Sequence, residues 1–240
     1  MIKTGRLFLI PTTLGNPITN HSLLPYQLPL IKHLRHFIVE TAKTGRLHIK
    51  QLGLEGQLQN LSISELNKHT GVAADLIAPL LNGHDVGLLS DCGIPAIADP
   101  GSQIVYLAHQ HQIPVIPLVG PSSLMLTLMA SGVNGQSFAF AGYIPIEKSE
   151  RLDKIRQLEQ LIVKFGQSQI IIETPFRTQQ LLEQLIATLA NDIILALGIN
   201  LMHTNEQVIS MQIKDWKKHI KLPNIHKHEV VFVCGKPLIK

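Results

Sequence analysis

The feature that most constrains this chain is an alternation. Short, fully apolar runs are each followed by a turn-rich stretch and then by an amphipathic segment. RLFLIPT (6–12), FIVET (37–41), DVGLLSD (85–91) and PVIPLVG (114–120) have the length and branched-aliphatic content of buried strands. Between them, LPLIKHLRH, TGRLHIKQLG, VAADLIAPLLNG and SQIVYLAHQHQ carry apolar residues at helical spacing. The last opens on Asp99-Pro100-Gly101, which predicts an aspartate cap and a proline in the first turn. A chain built this way folds as a mostly parallel sheet with helices on both faces.

The pattern restarts after Gly120-Pro121. SSLMLTLMASG reads as a helix, SFAFAGYIP as a strand, and SERLDKIRQLEQLIVKFG as a long amphipathic helix with a basic outer face. SQIIIETP, DIILALGI, EQVISMQI and HEVVFVCG read as strands, with the helix TQQLLEQLIATLA between the first two. EQVISMQI and HEVVFVCG alternate polar with apolar and predict antiparallel additions to a mixed sheet. The chain has 240 residues and is 45% hydrophobic, enough for two cores. The predicted class is therefore α/β, as two αβα domains with mixed sheets, spanning 1–118 and 119–240.

Several classes are set aside. No apolar run has the length of a membrane span, and MIKTGRLFLIPTTLGN does not read as a signal peptide, so no membrane partner is expected. Cys92 and Cys234 fit neither a metal nor a disulfide framework, which points to a reducing, cytoplasmic setting. The net charge of +4 is compatible with a polyanionic partner.

Ligands of open α/β sheets bind outside the carboxyl ends of the strands. Three loops have the composition for that place: PTTLGN (11–16), SDCGIPAIADPG (90–101) and VGPSS (119–123). Glycine lets backbone approach a ligand, and Ser, Thr and Asp supply hydrogen bonds. Any one of these loops alone reads as a turn or cap; three at equivalent strand ends predict a binding edge. None matches GxxxxGK[ST] or GxGxxG, which argues against a nucleoside triphosphate or ordinary dinucleotide site.

In order along the chain stand Ile10-Pro-Thr-Thr-Leu-Gly-Asn16, Ser90-Asp-Cys-Gly-Ile-Pro95, Asp99-Pro-Gly101, Gly120-Pro-Ser-Ser123 and Ile172-Glu-Thr-Pro-Phe-Arg177. This set resembles the tetrapyrrole methylase superfamily of S-adenosylmethionine-dependent methyltransferases. Within it, the set is most similar to the bacterial ribosomal RNA small-subunit (cytidine-2′-O)-methyltransferases, which typically read PTPIGN, SDAGTP, SDPG, PGPSA and YESPHR there. The resemblance implies a cofactor cleft between the two domains and a homodimer. It implies S-adenosylmethionine held by Leu14, Ser90, Asp91, Ile94, Ser122, Ser123, Glu173 and the strand end at Leu201. A ribose 2′-hydroxyl acceptor would need a general base, for which Glu173 and then Glu40 are the candidates.

The chain departs from that branch on the acceptor side. Where the branch reads EDTR, this chain has Glu40-Thr-Ala-Lys43, and near Gly198-Ile-Asn-Leu-Met202 the Arg-Glu pair of RELTK is missing. Methylation of a small molecule or another acceptor, and a decayed cofactor-binding regulatory protein, therefore stand beside RNA methylation as readings. Two basic groups, Lys148, Arg151, Lys154, Arg156 and Lys214, Lys217, Lys218, Lys221, are available to RNA phosphates or are solvated faces. Among the twelve histidines, His109, His111, His226 and His228 read as structural or solvated rather than as metal ligands, so no metal is expected. Cys92 reads as a small packing residue.

Overall fold

The computed structural model describes residues 4–15, 23–54, 59–66, 74–218 and 222–238. Asn16 and Lys221, both singled out above, lie outside the described residues, as does the start of VAADLIAPLLNG. The chain divides into two compact units, Met1–Ser122 and Ser123–Lys240.

In the first unit the strands are β1 (Leu7–Leu9), β2 (His36–Val39), β3 (Ser62–Glu65), β4 (Val86–Leu89) and β5 (Val115–Pro117). They form one sheet in the order β3-β2-β4-β1-β5, and every pairing is parallel. The first sheet is thus parallel throughout, and only the second is mixed. The helices between the strands are α1 (Leu28–Ile31), α2 (Ala42–Ile49), α3 (Ala78–Leu81) and α4 (Ser102–Gln110).

Period-two alternation sends neighbouring strand residues to opposite faces. Phe8, Ile10, Phe37, Val39 and Leu89 join Ile31, Leu34 and Ile49 in one core. Leu7, Ile38, Val86 and Leu88 join Ile77, Leu80, Ile104 and Ala108 in the other. Fully apolar runs are what a sheet buried on both faces demands, and the helices supply both covers.

Some local expectations are corrected. The α4 N-cap is Gly101, at φ +134°, so Asp99 and Pro100 both precede the cap position and Pro100 does not lie in the first turn. LPLIKHLRH is helical only to Ile31, because His36 already starts β2. The edge strand β3 was not foreseen, since Ser62–Glu65 has one apolar residue among four.

The second unit holds β6 (Phe138–Tyr143), β7 (Ser168–Ile172), β8 (Ile194–Ile199), β9 (Gln207–Gln212) and β10 (Val230–Gly235), in the order β6-β7-β10-β8-β9. β6 and β7 are parallel; β10 runs antiparallel to both β7 and β8, and β9 antiparallel to β8. β10 is an antiparallel strand as expected, but it fills the centre of the sheet, and all six of its residues are buried. One face packs on α6 (Lys148–Phe165), α7 (Thr178–Thr188) and the short α8 (Ile213–Trp216) through Ile155, Leu158, Leu182, Leu185 and Trp216. The other packs on α5 (Ser123–Ser131) through Leu124 and Leu128.

α6 begins where Glu147 accepts the Glu150 N–H and ends at Gly166 in the left-handed conformation, φ +62°. Arg151 does not belong to its outer face. It is buried, and its guanidinium donates to the Ile146 carbonyl at 3.0 Å, leaving Lys148, Lys154 and Arg156 as the basic positions of that group.

Candidate functional site

A parallel sheet puts the carboxyl ends of all its strands on one edge, so the loops after β1, β2, β4 and β5 are neighbours by construction. Backbone bonds tie them together. Ile10 N–H donates to Leu88 O at 2.9 Å, Leu118 N–H to Leu9 O at 3.0 Å, and Thr12 N–H to Gly93 O at 2.8 Å. The 11–15 segment is thereby fixed to the turn after β4. A Cβ on Gly93 (φ +81°) would meet Leu14 Cδ2 at 3.1 Å and Pro121 O at 3.6 Å. Leu14, Gly93 and Pro121 thus crowd at one place, with Ser122 next in the chain, and glycine is needed there for both space and conformation.

Asp91 is the polar centre of this edge. Its carboxylate accepts from Thr41 Oγ1 at 2.7 Å, and its own N–H donates to Glu40 Oε2 at 3.3 Å. His48 Nε2 meets the Asp91 carbonyl at 2.9 Å, while His48 Nδ1 faces Gln51 Oε1 at 3.3 Å. The cause lies in the sheet: Val39 and Leu89 are register partners, so the residues just beyond them emerge side by side. Ser90 is buried, and its hydroxyl lies 3.4 Å from the Cys92 and Gly93 carbonyls, shaping the turn. Ile94 follows, half-buried. Ala96 and Ala98 hold φ of +69° and +65°, positions that cost an L-residue energy and that cluster in ligand-holding loops.

Of the residues the sequence put forward, the first unit carries Leu14, Ser90, Asp91, Ile94, Ser122 and Glu40 on this edge. Sequence reasoning missed His48, which is buried and separated by 43 residues from the backbone it holds. Only the adjacency of β2 and β4 reveals that contact.

In the second unit the carboxyl ends of β7 and β8 share an edge with the start of β10. Glu173 follows β7. Its Oε1 accepts the Thr174 N–H at 2.6 Å and the Arg177 Nε and Nη2 at 3.0 and 2.6 Å. The carboxylate is nearly inaccessible, with a side chain 2% exposed against 23% for Arg177. Ser123 opens α5, and its carbonyl accepts from Thr127 Oγ1 at 2.8 Å. Thr127 in turn lies over Gly198, where a Cβ would meet its Oγ1 at 2.1 Å and Leu201 Cδ1 at 3.0 Å. Ser123, Glu173 and Leu201 therefore occupy one edge of their own unit.

The turn after β8 is strained, with Asn200 at φ +46° and Met202 at φ +64°. Asn200 lies in the stretch where this chain lacks the Arg-Glu pair of the resembling branch. It pins the turn by bonding His228 Nδ1 at 2.6 Å and the Glu229 N–H at 3.1 Å. His228 is thereby structural. Cys234 is buried in the second core, where burial pushes its thiol up to about 12, while Cys92 is exposed. Among the described residues no group of three or more His, Cys, Asp or Glu is arranged to hold a metal, and no helix is long and apolar enough to cross a membrane.

The comparisons agree with this geometry. No family model matches the chain. A ribosomal RNA small subunit methyltransferase I of Mesorhizobium japonicum is 32% identical over 160 residues, 67% of this chain; the chain spans about half of that relative, 53%. The protein of the same name from Hydrogenobaculum sp. is 28% identical over 231 residues, 96% of each chain. That of Escherichia coli O157:H7 is 28% identical over 235 residues, 95% of this chain and 77% of the relative. Among solved structures, the methyltransferase CobJ has a TM-score of 0.62 at 12% identity, covering 97% of this chain and 95% of its own. Uroporphyrin-III-C-methyltransferase from Thermus thermophilus has a TM-score of 0.56 at 18% identity, covering 97% and 94%. Those two likenesses establish the fold. The sequence relatives and the five ordered motifs make the chain similar to ribosomal RNA small subunit methyltransferases I, and the fold is the one those two solved methyltransferases share.

Proposed function

We propose that this protein transfers a methyl group from S-adenosylmethionine to a ribose 2′-hydroxyl of small-subunit ribosomal RNA. The observation that carries the reading is the locked edge of the first unit. There Thr12 fastens the Leu14 loop to Gly93, while Thr41 and His48 hold Asp91. Relatives that match nearly the whole chain are named ribosomal RNA small subunit methyltransferase I, which supports the ribosomal RNA part of the reading.

The residues fit the cofactor's chemistry. Gly93 lets the turn pack closely against Leu14 and Pro121, and Asp91 offers a carboxylate for a hydroxyl or an ammonium. Leu14, Ser90, Asp91, Ile94 and Ser122 of the first unit and Ser123, Glu173 and Leu201 of the second are the residues proposed to hold it. When bound, S-adenosylmethionine supplies an electrophilic methyl whose leaving group departs neutral, so no acid is required. What the chain must do is orient the acceptor, exclude water and take one proton.

Of the two candidate bases, Glu40 suits that last task better. Glu173 already receives two guanidinium N–H bonds from Arg177, which occupy its Oε1 and fix the side chain in place. Glu40 makes only a long bond to a backbone N–H and is half-buried beside Asp91. Glu173 is then a contact that shapes its edge through Arg177.

A homodimer in the cytoplasm fits this reading, with Lys148, Lys154, Arg156 and Lys214 as phosphate contacts. Lys217 and Lys218 are partly spent on Asn191 and Asp215 at 2.8 and 2.7 Å. A second reading, methylation of another acceptor, is favoured by Thr41 and Asn200 standing where the branch carries charged residues.

The test is calorimetry with S-adenosylmethionine followed by methyl transfer to unmodified small ribosomal subunits. Binding that weakens in Asp91→Ala, with label entering ribosomal RNA, is the expected result. Label entering small metabolites instead would favour the second reading. Absence of binding would overturn both.

A further inference from the structure

The opposite edge of the first sheet carries a charged cavity that the methyl-transfer reading leaves unused. Its volume is about 550 Å³, and its walls include Arg6, His33, Arg35, His36, His84 and Asp85. The residues meet because the amino ends of β1, β2 and β4 are adjacent: Leu7 and His36 both pair with Val86. Arg6, Arg35 and Asp85, each just ahead of its strand, are brought side by side with the imidazoles.

The only carboxylate in this wall is already engaged. Asp85 Oδ1 accepts the Arg6 backbone N–H at 2.7 Å, and Oδ2 accepts Arg6 Nη2 at 2.6 Å and His33 Nε2 at 2.7 Å. The Arg35 guanidinium bonds the Leu34 carbonyl at 2.9 Å, and no carboxylate partner for it is recorded among the described residues. His36 Nδ1 is buried and has no hydrogen-bond partner among the described residues, although buried ring nitrogens are ordinarily satisfied. The His36 and His84 rings stand 5.1 Å apart at 43°. Two imidazoles that close resist joint protonation, and burial followed by repulsion from His84 lowers the His36 pKa.

Two guanidiniums at the rim oppose a metal cation. An oxyanion fits that wall: it accepts from Arg35 and offsets the charge of neighbouring imidazoles that take up protons. We propose that this cavity is a phosphate-binding site separate from the methyl-transfer edge. That the phosphate belongs to RNA rests on the function proposed above; that the site takes a phosphate does not.

The whole protein is titrated with inorganic phosphate, in chloride of matched ionic strength, while the imidazole ¹⁵N and ¹H resonances of His36 and His84 are followed. The expected result is a saturable shift at both rings with a Kd of about 1 mM or tighter, weakened about tenfold in Arg35→Gln and in His36→Gln. A short single-stranded RNA forms the second arm. Displacement of phosphate by the RNA identifies a backbone phosphate as the occupant. Saturable phosphate binding that RNA leaves unchanged upholds the site and assigns it to a free phosphate. Shifts that do not saturate, or that are the same in both variants, overturn the proposal. Calorimetry with S-adenosylmethionine on the same samples reads the cofactor assignment separately and confirms that each variant is folded.

Discussion

Thr41 Oγ1 donates to Asp91 Oδ2 at 2.7 Å, joining the residue after β2 to the loop after β4. The resembling ribosomal RNA branch has an aspartate where Thr41 stands. A carboxylate there would face the Asp91 carboxylate, whereas threonine replaces that repulsion with a donor. Thr41→Val is expected to weaken S-adenosylmethionine binding by about 1 kcal/mol, roughly fivefold, by freeing Asp91. Thr41→Ser should restore it. Calorimetry on the three proteins checks the ordering.

His48 holds the same loop from beneath. His48→Leu leaves the Asp91 carbonyl without its partner, at a cost of about 1–3 kcal/mol. Thermal unfolding should shift down by several degrees, and hydrogen exchange should accelerate in the 90–101 loop before it does elsewhere in the unit.

Asp85 gives a pH signature. Burial alone would raise its pKa, but hydrogen bonds from Arg6 and His33 outweigh burial and hold it at about 2, below the ordinary 3.8. A depressed folded-state pKa contributes stability that is present above 3.8 and is lost as pH falls toward about 2. Asp85→Asn should therefore lower the Tm at pH 6, and the gap to the parent should narrow as the pH is taken from 4 to 2. A gap that stays constant over that range would mean the carboxylate is not differentially ionised.

Gly198 sits under α5 with no space for a methyl group, since its Cβ would lie 2.1 Å from Thr127 Oγ1 and 3.1 Å from Thr127 Cβ. Gly198→Ala is expected to cost about 1–3 kcal/mol. Adding Thr127→Ala should recover part of that loss, because the nearer atom is gone. Denaturant unfolding of the double-variant cycle measures the coupling.

How much of this was legible in the sequence follows from what kind of contact each feature depends on. β1, β2 and β4 were readable because a strand buried on both faces must be apolar without interruption; β5 was expected to be equally buried but is a half-exposed edge strand. The loops after β1, β4 and β5 were readable because their glycines and prolines cannot serve a core. β3 was not, since Ser62–Glu65 is an edge strand with little to bury. Nor was the central place of β10, because alternation specifies a strand but not its neighbours. Arg151 was placed on an outer face, for RNA or for solvent, on helical spacing, yet a long side chain can bury its stem and reach a carbonyl with its guanidinium, as it does at Ile146. His48 escaped for the same reason as β10: its function depends on a residue 43 positions away.

The most direct measurement uses alkaline hydrolysis. A 2′-O-methyl group removes the internal nucleophile that cleaves the next phosphodiester, so a dinucleotide carrying it survives alkali. Small ribosomal subunits lacking the modification are incubated with the protein and methyl-labelled S-adenosylmethionine, and the extracted RNA is hydrolysed. Label recovered in an alkali-resistant dinucleotide, and lost with Glu40→Gln while cofactor binding persists, is the predicted result. Label confined to mononucleotides, or absent from RNA while the cofactor binds tightly, would contradict ribose methylation.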